Sequence, residues 1–143
     1  MRFMCGARNG GQSVYLVEGD QAYDLGEADE RFCGDMTALF GAEAEAAKLA
    51  KGLTPVPVSS VTPALPIIRP GKVICLGLNY VDHIKEGGYD IPTYPALFMR
   101  GATSLIPAGA PMVRPSCSEQ LDYEAEMMVI IGEGGGIYRR IRR

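Results

Sequence analysis

The chain has 143 residues, 47% hydrophobic and 22% charged, with a formal net charge of -3. That composition can bury a core and excludes the disordered and fibrous classes, while the acidic balance excludes a protein built to neutralise phosphate backbones. The basic cluster Arg139, Arg140, Arg142 and Arg143 is terminal and reads as a solvated tail, so neither nucleic acid nor a membrane is expected as a partner.

The first residues lack the apolar core of a secretion signal, carrying Arg8, Asn9, Gly10, Gly11 and Gln12 where it would lie, and no apolar run reaches membrane-spanning length. A cytoplasmic location is expected. Cys5, Cys33, Cys75 and Cys117 are far apart and form no C-x-x-C pair, so they read as buried small hydrophobes rather than as zinc ligands, redox dithiols or disulfides.

In chain order, Arg2-Phe3-Met4, Ser13 to Val17 and Gln21 to Leu25 have a strand rhythm. They are separated by turns at Asn9-Gly10-Gly11 and Glu18-Gly19-Asp20, which predicts a small antiparallel meander. From Asp35 to Leu53, the positions Met36, Leu39, Phe40, Ala44, Ala47 and Leu49 make a rough helical stripe, predicting one or two helices. The prolines from Pro55 to Pro70 forbid a helix and favour an extended, stiff connector. Lys72 to Gly77 then reads as a short buried strand. Asn79 is placed to cap a helical turn holding Tyr80, His83 and Glu86, which Gly87-Gly88 would end. Ala96 to Arg100 predicts another strand and Ile106 to Pro115 a loop. Leu121 to Ile131 is the strongest strand pattern, stopped by Gly132 and Gly134-Gly135-Gly136.

Two clusters carry candidate chemistry. Glu124 and Glu126 are two apart, so on a strand both carboxylates leave one face and repel each other. Either a hard divalent cation lies between them or the face is simply acidic and solvated. His83, the only histidine, precedes Glu86 by three residues, a spacing that puts both on one helical face. They form either a dyad in which the carboxylate raises the basicity of the imidazole or an incidental surface pair.

Taken in order, Gly77-Leu78-Asn79-Tyr80-Val81-Asp82-His83 with Glu86, then Pro95 to Arg100, Ser104-Leu105-Ile106 and Leu121-Asp122-Tyr123-Glu124-Ala125-Glu126 resemble the successive motifs of the fumarylacetoacetate hydrolase family. The resemblance implies a mostly β fold with short helices (α+β). It comprises a small N-terminal antiparallel domain (1–53), a Pro-rich linker (54–70) and an incomplete mixed β-roll of the catalytic type (71–143). It further implies Glu124 and Glu126 as ligands of Mg2+ (or Mn2+ or Ca2+), His83 and Glu86 as the dyad that activates water or shuttles a proton, and Tyr80 and Arg100 as substrate contacts. The family often has Lys where Arg100 stands. The reaction class implied is hydrolysis, decarboxylation or isomerisation of a small keto or dicarbonyl acid, in an enzyme whose full-length relatives are homodimers.

The family's third carboxylate ligand is an Asp further along the chain, and no aspartate follows Glu126 here. The abrupt change of character at Gly136-Ile137-Tyr138-Arg139 reads as a frameshift or premature stop. The expectation is therefore divided between a metal-dependent enzyme and an inactive truncated fragment or partner-dependent interaction module.

Overall fold

The structure, a computed structural model, describes residues 1–132. Three strands open it: β1 (Arg2–Arg8), β2 (Gly11–Glu18) and β3 (Gln21–Asp24). They pair antiparallel with Cys5 opposite Val14 and Tyr15 opposite Asp24, forming the expected meander. Both connecting loops are two residues long, and each uses a glycine at positive φ, Gly10 at 81° and Gly19 at 57°.

The period of two along β2 sorts its side chains into two cores. Val14 and Leu16 turn to one face, where with Cys5 they meet Leu25, Phe32, Leu39, Ala46 and Ala50. Those partners come from 3-10 turns at Leu25–Glu27, Glu30–Phe32 and Met36–Leu39 and from helix α1 (Glu43–Ala50). Tyr15 and Val17 turn to the other face and pack with Ala22, Met4, Val58 and Val61. Phe32 is fully buried, and its truncation to alanine would cost about 3–5 kcal/mol. The helical region thus resolves into one 3-10 turn and one α-helix, preceded by two further 3-10 turns with no periodic signal in the sequence.

One buried hydroxyl lies in this core. Ser13 is fully buried, with Asp24 and the Phe32 carbonyl (3.3 Å) as its acceptors, and Asp24 also takes the Gly26 amide at 3.0 Å. Arg8 stands 3.7 Å from the same carboxylate, so the buried polar group is fully partnered. Around Phe32, Arg31 bonds Asp29 and Glu45 (2.8 Å to each carboxylate) and lies over the Phe32 ring, fastening the second 3-10 turn to α1.

The Pro-rich stretch is extended, as its prolines dictate, and it is bonded to the sheet along most of its length. β4 (Val56–Pro57) pairs with β3 through Ala22 and Val56. The chain crosses one face at a 3-10 turn, Val58–Ser60, and then bonds the free edge of β1, Ala7 donating to Thr62 at 2.8 Å and Ala64 to Cys5 at 2.9 Å. Both edges of the meander are thereby covered, which removes a template for unwanted strand pairing.

Beyond it, β5 (Val73–Gly77) and β6 (Ala96–Arg100) form a separate antiparallel pair with Cys75 opposite Phe98. This pair is what the described residues form of the expected roll. β5 is not the buried strand its composition suggested, because Ile74 and Leu76 project to an exposed face. Helix α2 (Val81–Glu86) follows β5. Its N-cap is Tyr80, not Asn79, and it makes no side-chain cap bond; Gly87 closes it and Gly88 takes φ 68°. The exposed Tyr89 ring lies where a side chain at Gly87 would be, 2.5 Å from the position of its Cβ, so a larger residue there would have to displace that ring.

Two further expectations need correction. Leu121 to Ile131 forms no strand, because a strand exists only where a neighbouring edge supplies ladder partners, and among the described residues β5 and β6 pair only with each other. The cysteines divide: Cys5 is buried and Cys75 partly so, but Cys33 and Cys117 are exposed, since both fall in connecting segments outside any strand or core-facing helix. All four are free thiols. Gly134-Gly135-Gly136 and the arginine tail lie outside the described residues. Among the described residues, no helix is long and apolar enough to cross a membrane.

Candidate functional site

The site is built on the turn between β5 and α2. Leu78 sits there at φ 53°, a left-handed conformation that costs a branched residue on the order of 1 kcal/mol. The turn leads directly into α2, with Tyr80 at its N-cap and His83 within it. Leu78 is the one non-glycine residue at positive φ among those described, and it lies inside the motif that carries the family resemblance.

His83 lies on α2 with its Nδ1 3.7 Å from Oε1 of Glu124. That separation is too long for a hydrogen bond, so the pair attracts as charges, and only while the imidazole is protonated. Three residues beyond Glu124, the Met127 amide donates to the Tyr80 hydroxyl at 3.0 Å. At the far end of the segment, Gly132 lies against the Phe40 ring. The carboxylate-bearing stretch is thus held at discrete points rather than by a ladder.

The six residues singled out from sequence are not all brought together. His83 faces Glu124, and Tyr80 takes the Met127 amide next to Glu126. Glu86 is on the same short helix as His83, but among the described residues no hydrogen bond joins the two; the carboxylate facing the imidazole is Glu124. Arg100 ends β6 opposite Val73, exposed, with no carboxylate partner among the described residues. Glu124 and Glu126 do not share a strand face, because the strand that would align them is not formed.

A hard cation suits the donors present, since carboxylate oxygens are the ligands Mg2+ and Mn2+ take, and Mg2+ usually keeps several waters with one or two carboxylates. Among the described residues no group of three His, Cys, Asp or Glu side chains converges. What suits the ion is therefore the chemistry of the Glu124 and Glu126 side chains rather than a formed site, the Glu124 side chain being 62% exposed. Neither the His83–Glu124 approach nor the Tyr80–Met127 bond was legible in sequence, because the latter spans 47 residues and no local pattern encodes either.

Residues 72–139 match the family described as fumarylacetoacetate (FAA) hydrolase, C-terminal. The human mitochondrial oxaloacetate tautomerase FAHD2A is 41% identical over 87 residues, which is 61% of this chain and 28% of that protein. An uncharacterised protein of Methanocaldococcus jannaschii is 42% identical over 66 residues, 46% of this chain and 28% of its own length. The chain thus spans 28% of the length of these curated relatives. The crystal structure of an HpcE-like protein from Mycobacterium smegmatis superposes with a TM-score of 0.51 at 28% identity, covering 72% of this chain and 37% of that one. The ordered motifs from Gly77 to Glu126 fall within these matches: over residues 72–139 the chain is similar to the C-terminal part of fumarylacetoacetate hydrolase family proteins.

Proposed function

We propose that this chain carries the proton-transfer and cation-binding wall of an enzyme that isomerises, hydrolyses or decarboxylates a small keto acid. The observation that supports it is the approach of His83 to Glu124, which sets the one histidine near one of the two candidate metal ligands. Oxaloacetate, the substrate in the names of the human and rat relatives, is a keto acid of the class intended.

Glu124 and Glu126 would hold Mg2+ or Mn2+, and the cation when bound supplies Lewis-acid polarisation of the substrate carbonyl. His83, neutral, accepts a proton from the carbon next to that carbonyl or from an attacking water and returns it to oxygen or carbon. In tautomerisation, one C–H bond breaks and one O–H bond forms, with no net redox change. Glu124, the carboxylate that faces the imidazole at 3.7 Å, stabilises the imidazolium formed in between, and Glu86, on the same helix, makes no hydrogen bond to His83 among the described residues. Arg100 offers the substrate carboxylate a planar, permanently charged partner. The same groups acting on water in place of a carbon acid would serve hydrolysis.

A second reading, a non-catalytic module that depends on a partner chain, is favoured by the exposed apolar side chains of β5 and β6. One experiment separates the two: the purified chain is offered oxaloacetate and acylpyruvates with Mg2+ or Mn2+, the enol absorbance is followed, and His83→Ala serves as control. Metal-dependent turnover that drops at least 100-fold in His83→Ala is expected of the enzyme. No turnover with any metal supports the module.

A further inference from the structure

We infer that Tyr80 is a positioning residue, whose phenol oxygen holds the backbone at Met127 and thereby sets the neighbouring Glu124 near His83. The inference rests on the reading that Glu124 and Glu126 hold a divalent cation.

The stretch that carries the carboxylates has no ladder hydrogen bonds, so its placement depends on individual contacts. Two of them face α2: His83 to Glu124 at 3.7 Å and the Met127 amide to the Tyr80 hydroxyl at 3.0 Å. The spacing matches on both sides, residues 80 and 83 meeting residues 127 and 124, so the two contacts form a two-point attachment that fixes direction as well as distance. They differ in kind: the His83–Glu124 approach is longer than a hydrogen bond, whereas the Met127 amide makes a hydrogen bond of ordinary length to the Tyr80 oxygen.

Tyr80 is also an unusual choice for its place. N-caps favour Ser, Thr, Asp or Asn, whose side chains bond the helix amides, whereas Tyr80 caps α2 with extended backbone and no side-chain cap bond. Its hydroxyl is committed instead to the distant Met127 amide. As acceptor in that bond the oxygen keeps its own hydrogen, free to donate to a water or substrate oxygen.

The test uses the full chain, Mn2+ and electron paramagnetic resonance, with amide exchange read at Met127. Tyr80→Phe removes the oxygen and keeps the ring; Met127→Pro removes the donor and keeps Tyr80. Each is expected to weaken Mn2+ binding about fivefold, the effect of one net hydrogen bond, with the unfolding midpoint unchanged. The double variant should lose no more than either single one, because both remove the same bond. Tyr80→Phe should also speed exchange at Met127. Unchanged Mn2+ affinity and unchanged Met127 exchange in Tyr80→Phe would overturn the inference, as would additive losses in the double variant. If the parent chain binds no Mn2+ and matches Glu126→Gln, the metal reading fails, and the Met127 exchange rate alone decides for or against the tether.

Discussion

Asp35 shows how much one side chain can organise. It caps the third 3-10 turn by accepting the Thr37 amide at 3.0 Å and hydroxyl at 2.6 Å, and its other oxygen takes the Ile68 amide at 2.8 Å. One carboxylate therefore ties the helical layer to the end of the Pro-rich segment. Burial pushes its pKa up, but the bonds from Thr37 and Ile68 outweigh burial and hold the carboxyl below its ordinary value of 3.8. A lowered folded pKa means stability that is present above the unfolded value and lost as pH falls through the folded one. Asp35→Ala should cost about 1–2 kcal/mol at pH 7, as loss of a cap does, and clearly less at pH 3. Urea unfolding of both proteins at the two pH values measures this; an equal cost at both would show that the charge contributes nothing. Residue types were legible in this way more often than residue partners. His83, Glu124 and Glu126 stand out in the sequence by chemistry, but that His83 faces Glu124 rather than Glu86 depends on a turn at Leu78 whose positive φ no leucine announces.

At the scale of elements, the meander was legible because its turns are glycines and its strands alternate, signals that act within a few residues. The 3-10 turns between Leu25 and Leu39 were not, because they have no period, and each is held by an aspartate cap and by packing onto Phe32 and Leu39. The stretch from Leu121 to Ile131 failed for the opposite reason: its strand pattern is strong, but pairing is a property of two edges. Each face of the meander also buries a weak acid. Burial, reinforced by the nearby Asp35 carboxylate, pushes the Cys5 thiol up to about 11 from 9.0; burial and Asp24 push the Tyr15 phenol up to about 12 from 10.0. Both are raised, so each contributes stability that is complete below its unfolded value and is lost as pH climbs through its folded one. The urea midpoint of the meander should hold to about pH 9 and fall steadily towards pH 12. Cys5→Ala should be less stable at pH 8 and show a shallower decline between pH 9 and 11. A midpoint that stays flat over that interval would contradict the burial of both groups.

For the molecule as a whole, the two sheets are unequally finished. The meander has a core on each face and both edges covered, while the β5–β6 pair leaves Ile74, Leu76, Leu97 and Met99 on one face, each at least 40% exposed. The register proves that they are neighbours, since Ile74 is opposite Met99 and Leu76 opposite Leu97, and directly opposed residues project to the same side. Covering such side chains is worth about 1.5–3 kcal/mol each when burial is complete, enough together to drive association. Residues 121–131 add further exposed apolar side chains, among them Met127 and Val129. The purified chain should therefore enhance the fluorescence of an apolar dye and elute above its monomer mass as concentration rises, by light scattering. Ile74→Lys with Leu97→Lys should suppress both effects. Neither substitution touches the meander, so its unfolding midpoint should not move by more than a few tenths of a kcal/mol equivalent. A parent chain that stays monomeric without dye enhancement would mean that this face is covered within the chain, and the partner-dependent reading would lose the observation that favours it.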